Sequence, residues 1–211
     1  MAIVLDANTN LGSAFATSLT TSHTCSGVNR ILFVGGWGDT ASDNWTGVTY
    51  NGVPMTRVSS VRYGGTDRYD YVYALLNPAT GANNVVISAN NSGGISANAT
   101  SFTGASQDIP IGSLPFITGS GVSQASASLA ITTAFNNSNA YGLMHGMETA
   151  GANTTKNSGN NAQAGYLRTT NLATAGTLTL AWTNSATDWG AIVVGIYPPQ
   201  PTNTGAFFPF F

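Results

Sequence analysis

The stretch Val48 to Val58 reads VTYNGVPMTRV, two β-prone runs separated by Asn51-Gly52. A two-residue connection of this kind needs positive φ at both central positions, which Asn tolerates and Gly adopts freely, so the segment predicts a type I′ hairpin. Working outward, the same grammar recurs along the chain: short apolar or alternating runs bounded by Gly, Asn, Ser and Pro, with no sustained helical period. DYVYALL is followed by Asn77-Pro78-Ala79-Thr80-Gly81 and then NNVVIS, which predicts a second reversal. Along the first of these strands Tyr69, Tyr71 and Tyr73 share one face, with Val72 and Ala74 on the other.

Candidate strands cover Ile3 to Asp6, Ala14 to Cys25, Arg30 to Gly35, Gly47 to Tyr50, Val53 to Val61, Tyr69 to Leu76, Asn84 to Ala89 and Ile95 to Phe102. Further candidates are Ser126 to Thr133, Ala140 to Glu148, Ala164 to Thr169, Thr177 to Thr183 and Trp189 to Tyr197. The last reads as a central strand, with Ile192, Val194 and Ile196 on one face and Val193 and Tyr197 on the other. Gly36 to Trp45, Ser106 to Ser123 and Gly151 to Gln163 read as long polar loops. The expected fold is therefore all-β, a two-sheet antiparallel β-sandwich of jelly-roll-like arrangement, with an ordinary β-barrel as the other possibility. We expect one sandwich domain over residues 1–197 and an arm over 198–211.

That arm, PPQPTNTGAFFPFF, joins a proline-stiffened stalk to four rings with no charged side chain. Pro209 keeps Phe207, Phe208, Phe210 and Phe211 out of a regular helix or central strand, while the rings carry a large apolar area. They are expected to make assembly contacts, either folded back on their own domain or docked on a neighbouring subunit.

Charged residues form 7% of the chain, against roughly 25% in an average soluble protein, so Ser, Thr, Asn and Gly must supply the polar surface. Six basic residues provide no stripe for a run of phosphates, so neither DNA nor RNA is an expected partner. No stretch approaches the apolar length of a membrane helix and the N-terminus lacks a secretory signature, which implies synthesis in the cytoplasm unless a leader is missing. The single Cys25 rules out an internal disulfide.

Candidate chemistry is sparse. His23 and His145 lack the ligand spacing of a metal site, and both read as sheet histidines, so no metal or other cofactor is expected. His23 and Cys25 share a strand face, yet nothing marks an oxyanion hole, and no serine sits in a G-x-S-x-G elbow. No catalytic residue, and hence no enzyme, is expected. Asp39 and Asp43, and likewise Asp67 and Asp70, could cap turns or hold a cation. Trp37 and Trp45 bracket GGWGDTASDNW, which would form a ligand cleft with Asp39, Asp43 and Asn44, or would pack down as a loop. Trp182 and Trp189 read as core.

Four stretches in order, SHTCSGVNRILFVG (Ser22 to Gly35), VTYNGVPMTRV, LLNPATGANNVVIS (Leu75 to Ser88) and SFTGASQDIPIG (Ser101 to Gly112), resemble a family of jelly-roll-type proteins common in tailed bacteriophage and environmental genomes. The resemblance implies a virion component, specifically a capsid decoration or cement protein at the capsid surface. Its implied partners are copies of itself, a trimer at a three-fold position, and the major capsid protein. The resemblance assigns no catalytic residue and does not reach the C-terminal arm. A carbohydrate-binding sandwich, used for adhesion or as a free lectin, is the alternative.

Overall fold

The computed structural model describes residues 2–40, 42–160 and 163–201. The first half of the chain supplies nine strands: β1 (Val4–Phe15), β2 (Ser18–Cys25), β3 (Ile31–Gly38), β4 (Trp45–Tyr50), β5 (Val53–Pro54), β6 (Thr56–Arg62), β7 (Tyr69–Leu76), β8 (Gly81–Ala89) and β9 (Gly94–Thr103). They pair antiparallel in two sheets ordered β1-β9-β3-β7-β6 and β2-β8-β4-β5. The four-against-four order β1-β9-β3-β7 facing β2-β8-β4-β5 is a jelly roll, with β6 added beside β7. The expected sandwich is thus present. One turn of 3-10 helix, Ile111–Ser113, then leads into a third sheet.

That sheet is built from β10 (Phe116–Thr133), β11 (Asn139–His145), β12 (Thr149–Ala150), β13 (Thr154–Asn160), β14 (Gln163–Arg168) and β15 (Gly176–Ile196), ordered β10-β15-β11-β14-β13 with β12 paired to β15. It stacks on the face of the five-stranded sheet that the jelly-roll core leaves uncovered. The five-stranded sheet is consequently apolar on both sides. Leu32, Val34, Tyr71 and Tyr73 pack with Val48, Tyr50, Val85 and Ile87 inside the jelly roll. Ile31, Phe33, Val72 and Ala74 pack with Tyr141, Leu143, Ile192 and Val194 of the third sheet. Alternation along a strand sends successive side chains into these different cores.

The long β10–β15 ribbon has register shifts near Gly121, Gln124 and Ser126. Such shifts bend a ribbon. Its distal half, Ser126 to Thr133 against Gly176 to Thr183, closes a third core over the outer face of β11 and β14, where Leu129, Leu178, Leu180 and Trp182 meet Met144, Tyr166 and Val193.

Several expectations hold residue by residue. Asn51 and Gly52 have φ of 50° and 75°, as the hairpin requires, and Gly81 has φ of 87° in the second reversal. β7 runs over the expected residues with the expected faces. Other expectations change, among them the single strand over Ala14 to Cys25, which divides at residues 16–17 into the end of β1 and the whole of β2. Ser106 to Ser123 is not all loop, because β10 begins at Phe116 and is largely exposed through Ser126; a strand wetted on both faces carries no apolar alternation to read. Gly151 to Gln163 likewise contains β13, another polar strand, held by its pairing with β14. Thr177 to Thr183 and Trp189 to Tyr197 are two parts of the single strand β15, and Tyr197 follows Ile196 into the core between the sheets, edge-on to Phe135 at 4.8 Å.

Phe33 is fully buried at the centre of the molecule, stacked on Tyr141 at 4.6 Å and 4° and edge-on to Phe102 at 6.1 Å. Opposite, Gly35 leaves room for Tyr141, since a Cβ there would stand 2.4 Å from its hydroxyl. Phe33→Ala should lower unfolding free energy by about 3–5 kcal/mol in urea titrations, and a loss under ~1 kcal/mol would show that the inter-sheet core is not a principal source of stability.

Candidate functional site

The residues from Trp37 to Trp45 come together, but they do so by packing on the protein itself. Trp45 opens β4 and is 3% exposed, stacked on Tyr71 at 4.7 Å and 10°. Asn44 is buried: its backbone N–H donates to the Tyr71 hydroxyl at 2.8 Å and its side-chain oxygen accepts from Asn91 N–H at 3.1 Å. Asp43 pairs with Arg57 at 2.5 Å and Asp39 with Arg68 at 3.0 Å. Arg68 also lies 5.0 Å from the Trp37 ring centre, a cation–π geometry, and the imidazole of His145 stacks on the same indole at 5.5 Å and 12°. Trp45 is thus enclosed, and the Trp37 indole already packs against Arg68 and His145.

Behind Trp37 lies a cluster assembled from three strands and a turn. Period-two alternation carries Asp70 of β7 to the face of Val72 and Ala74, and His145 of β11 to the face of Tyr141 and Leu143. They meet between the sheets, with Nδ1 of His145 2.8 Å from Oδ1 of Asp70 and both side chains buried. Tyr63 covers the other side of the imidazole at 4.1 Å and donates its hydroxyl to the carbonyl of Asp188 at 2.6 Å. Oδ2 of Asp70 has no hydrogen-bond partner among the described residues and rests against Gly190, where a Cβ would come within 2.1 Å. Asp67, by contrast, pairs with Arg62 at the surface at 2.6 Å, so the two carboxylates do not share a site.

His23 belongs to a second buried chain, which ties the two sheets of the jelly roll. Ser101 of β9 donates its hydroxyl to Oδ2 of Asp6 at 2.8 Å. Having given its only proton, Ser101 must accept from Nε2–H of His23 at 3.1 Å. Nδ1 meets the Thr9 hydroxyl at 2.9 Å and accepts from it in the neutral imidazole, the form that burial favours. Burial depresses the His23 pKa to about 4, against a smaller opposing pull from Asp6. At Asp6 burial acts upward, but hydrogen bonds from the Ser26 side chain and backbone and from Ser101 outweigh it and hold the carboxyl below its usual range. The order Asp, Ser, His places the hydroxyl between carboxylate and imidazole, so the imidazole donates to Ser101 instead of accepting its proton, unlike the Ser-His-Asp arrangement. Cys25, buried on the same face, has its thiol pKa raised by burial, the opposite of an activated nucleophile. Burial likewise pushes Tyr50 up to about 12; its hydroxyl bonds to the carbonyls of His23 and Gly81.

Among the described residues no group of three or more His, Cys, Asp or Glu side chains converges as a metal site. Among the same residues no helix is long and apolar enough to cross a membrane. Phe207, Phe208, Pro209, Phe210 and Phe211 lie outside the described residues. The clustering of Asp70, His145, Tyr63 and Trp37 was not anticipated; the only signal was that two ionisable residues fall on the apolar faces of their strands. Comparisons with protein families, curated proteins and solved structures give no match.

A histidine whose folded pKa lies below its unfolded value of about 6.5 contributes stability that is complete above that value and is lost as pH falls toward the folded one. For His23 the window is pH 6.5 to about 4, and the loss is about 3 kcal/mol. In urea titrations His23→Gln should be less stable at pH 7 and should show a shallower fall over this window. Parallel pH slopes for the two proteins would refute the neutral-imidazole assignment. Asp70→Ala, which leaves Nδ1 of the buried His145 without its partner, should cost about 1–3 kcal/mol at pH 7 by the same measurement.

Proposed function

We propose that this chain is a structural virion protein, a subunit that decorates and cements a phage capsid through contacts with its own copies and with the major capsid protein. The observation that carries the reading is how the fold spends its few charged groups. Arg57 with Asp43, Arg62 with Asp67 and Arg68 with Asp39 neutralise one another in short pairs, Asp70 is buried against His145, and half-buried Asp6 is held by Ser26 and Ser101. With six basic and eight acidic residues in all, the surface is close to neutral and rich in hydroxyls and amides. Such surfaces pack side by side with little like-charge repulsion. The jelly-roll strand order and the resemblance of the four stretches to phage jelly-roll proteins support the same reading.

Assembly also gives the C-terminal sequence a role. The chain is described as far as Pro201, where Pro198 to Pro201 run beside Ala134 to Asn137 at the end of the β10–β11 connection. The following residues carry Phe207, Phe208, Phe210 and Phe211, enough apolar area to fasten a subunit once other contacts have positioned it.

A carbohydrate-binding role has one observation in its favour: a shallow depression of about 400 Å³ whose polar walls include Thr49, Asn51, Asn83 and Asn84. Uncharged amides and hydroxyls suit sugar hydroxyl groups, but no aromatic face accompanies them. Glycan-array binding that disappears in Asn84→Ala would favour this reading over assembly.

Deleting Gly205 to Phe211 should reduce occupancy on capsids, measured by quantitative gel densitometry of purified particles, while leaving the β circular-dichroism spectrum unchanged. Full occupancy after the deletion would overturn the fastening role of the tail.

A further inference from the structure

Each sheet ends in strands whose outer backbone groups have no neighbour in their own sheet, and such edges invite pairing with another chain. Most of these edges are spoiled for that purpose along much of their length. β1 has register shifts at Leu5/Ala7 and Asn10/Gly12. β6 has one at Arg57/Ser59 and carries two arginines. β5 is two residues long and ends in Pro54. β10 is interrupted between Gly121 and Ser126, which leaves an unbroken stretch, Ser126 to Thr133, over less than half of its 18 residues, and β13 is shifted at Lys156/Ser158. Bulges, proline and basic side chains are the features that keep a sheet edge from propagating.

β2 has none of them. Its eight residues, SLTTSHTC, pair with β8 in unbroken register from Ser18↔Ser88 to Cys25↔Gly81. Among the described residues β8 is the only strand paired with it. The strand contains no charge, proline or glycine, and its outward residues Ser18, Thr20, Ser22 and Thr24 are exposed.

We propose that β2 is the self-association edge of this protein, pairing antiparallel with β2 of a second copy across a two-fold axis to join the two four-stranded sheets into one of eight. Antiparallel pairing of a strand with itself is isologous, so each donor on one copy finds its acceptor on the other. The side-chain period of two requires outward residues to oppose outward residues, which centres the axis on Thr21 or Ser22. In the first register Thr20 faces Ser22 of the partner subunit and Ser18 faces the partner's Thr24. In the second, Ser22 faces its own copy and Thr20 faces the partner's Thr24. Every outward pair is then hydroxyl against hydroxyl, with no like charges opposed. A committed partner strand must suit this neutral, flat edge, and a second copy of the same sequence does so at every position.

The inference rests on the assembly reading and specifies the strand that carries it; a two-fold contact of this kind would link three-fold clusters across their shared axes. The test is sedimentation velocity on the full chain over a concentration series, with the T20K/S22K variant alongside. The two lysines project from exposed positions, and they oppose like charges in either register. The variant should weaken association by roughly tenfold or more and halve the mass of the assembled species at equal concentration. Hydrogen exchange should show β2 amides protected in the assembled wild type and unprotected in the variant. A wild-type chain that stays monomeric, or an assembly whose mass T20K/S22K leaves unchanged, overturns the pairing. Decoration of capsids distinguishes the two levels: particles that take up T20K/S22K normally refute the edge contact and retain the assembly role, whereas a β2 dimer that binds no particle supports the pairing and refutes the decoration role.

Discussion

The burial of the five-stranded sheet on both faces is the constraint on which the other features depend. A sheet covered on one side can send polar residues to the other, but β3 and β7 must send apolar residues both ways. Leu32 and Val34 serve the jelly-roll core while Ile31 and Phe33 serve the core against the third sheet. Covering the second face requires a further layer, and the chain supplies it with the ribbon β10–β15 and the strands beside it. Those strands in turn expose an outer apolar face, which the distal half of the same ribbon covers. The sequence of layers is therefore a series of answers to uncovered hydrophobic surface.

Polar groups that enter these layers have to bring their partners with them, since an unpaired buried donor or acceptor costs about 1–3 kcal/mol. Asp70 and His145 enter from opposite sheets and meet between two aromatic rings, Trp37 and Tyr63. His23, Ser101, Asp6 and Thr9 do the same at the edge of the jelly roll. In both places the hydrogen bonds of acid and base groups run from one sheet to another.

Strand signals in the sequence were strong where a strand has a dry face and weak where it has none. Asn51-Gly52, the tyrosine alternation of β7 and the two-sided apolar run of β15 could be read directly, because turn sterics and period-two burial are local. The start of β10 and most of β13 could not, since runs of Gly, Ser, Thr and Asn look like loop. The packing of the Trp37 to Trp45 segment depended on Tyr71, Arg57, Arg68 and His145, all distant in sequence. Indole rings beside acidic residues look the same in a sequence whether a ligand or an arginine covers them. The third layer was also hidden, because nothing in a single strand states how many sheets its face will meet.

The order of the layers along the chain has a consequence for synthesis. Every strand of the jelly roll lies before Gly104, whereas the strands that cover its second face begin at Phe116 and end at Ile196. A nascent jelly roll therefore emerges with Ile31, Phe33, Val72 and Phe102 unprotected, and it stays so until the last strand leaves the ribosome. At about 5–20 residues per second that interval lasts several seconds, long against the time of local collapse. The burial that makes the finished molecule coherent thus creates a sticky intermediate during its production, one for which a folding chaperone has an obvious surface to hold.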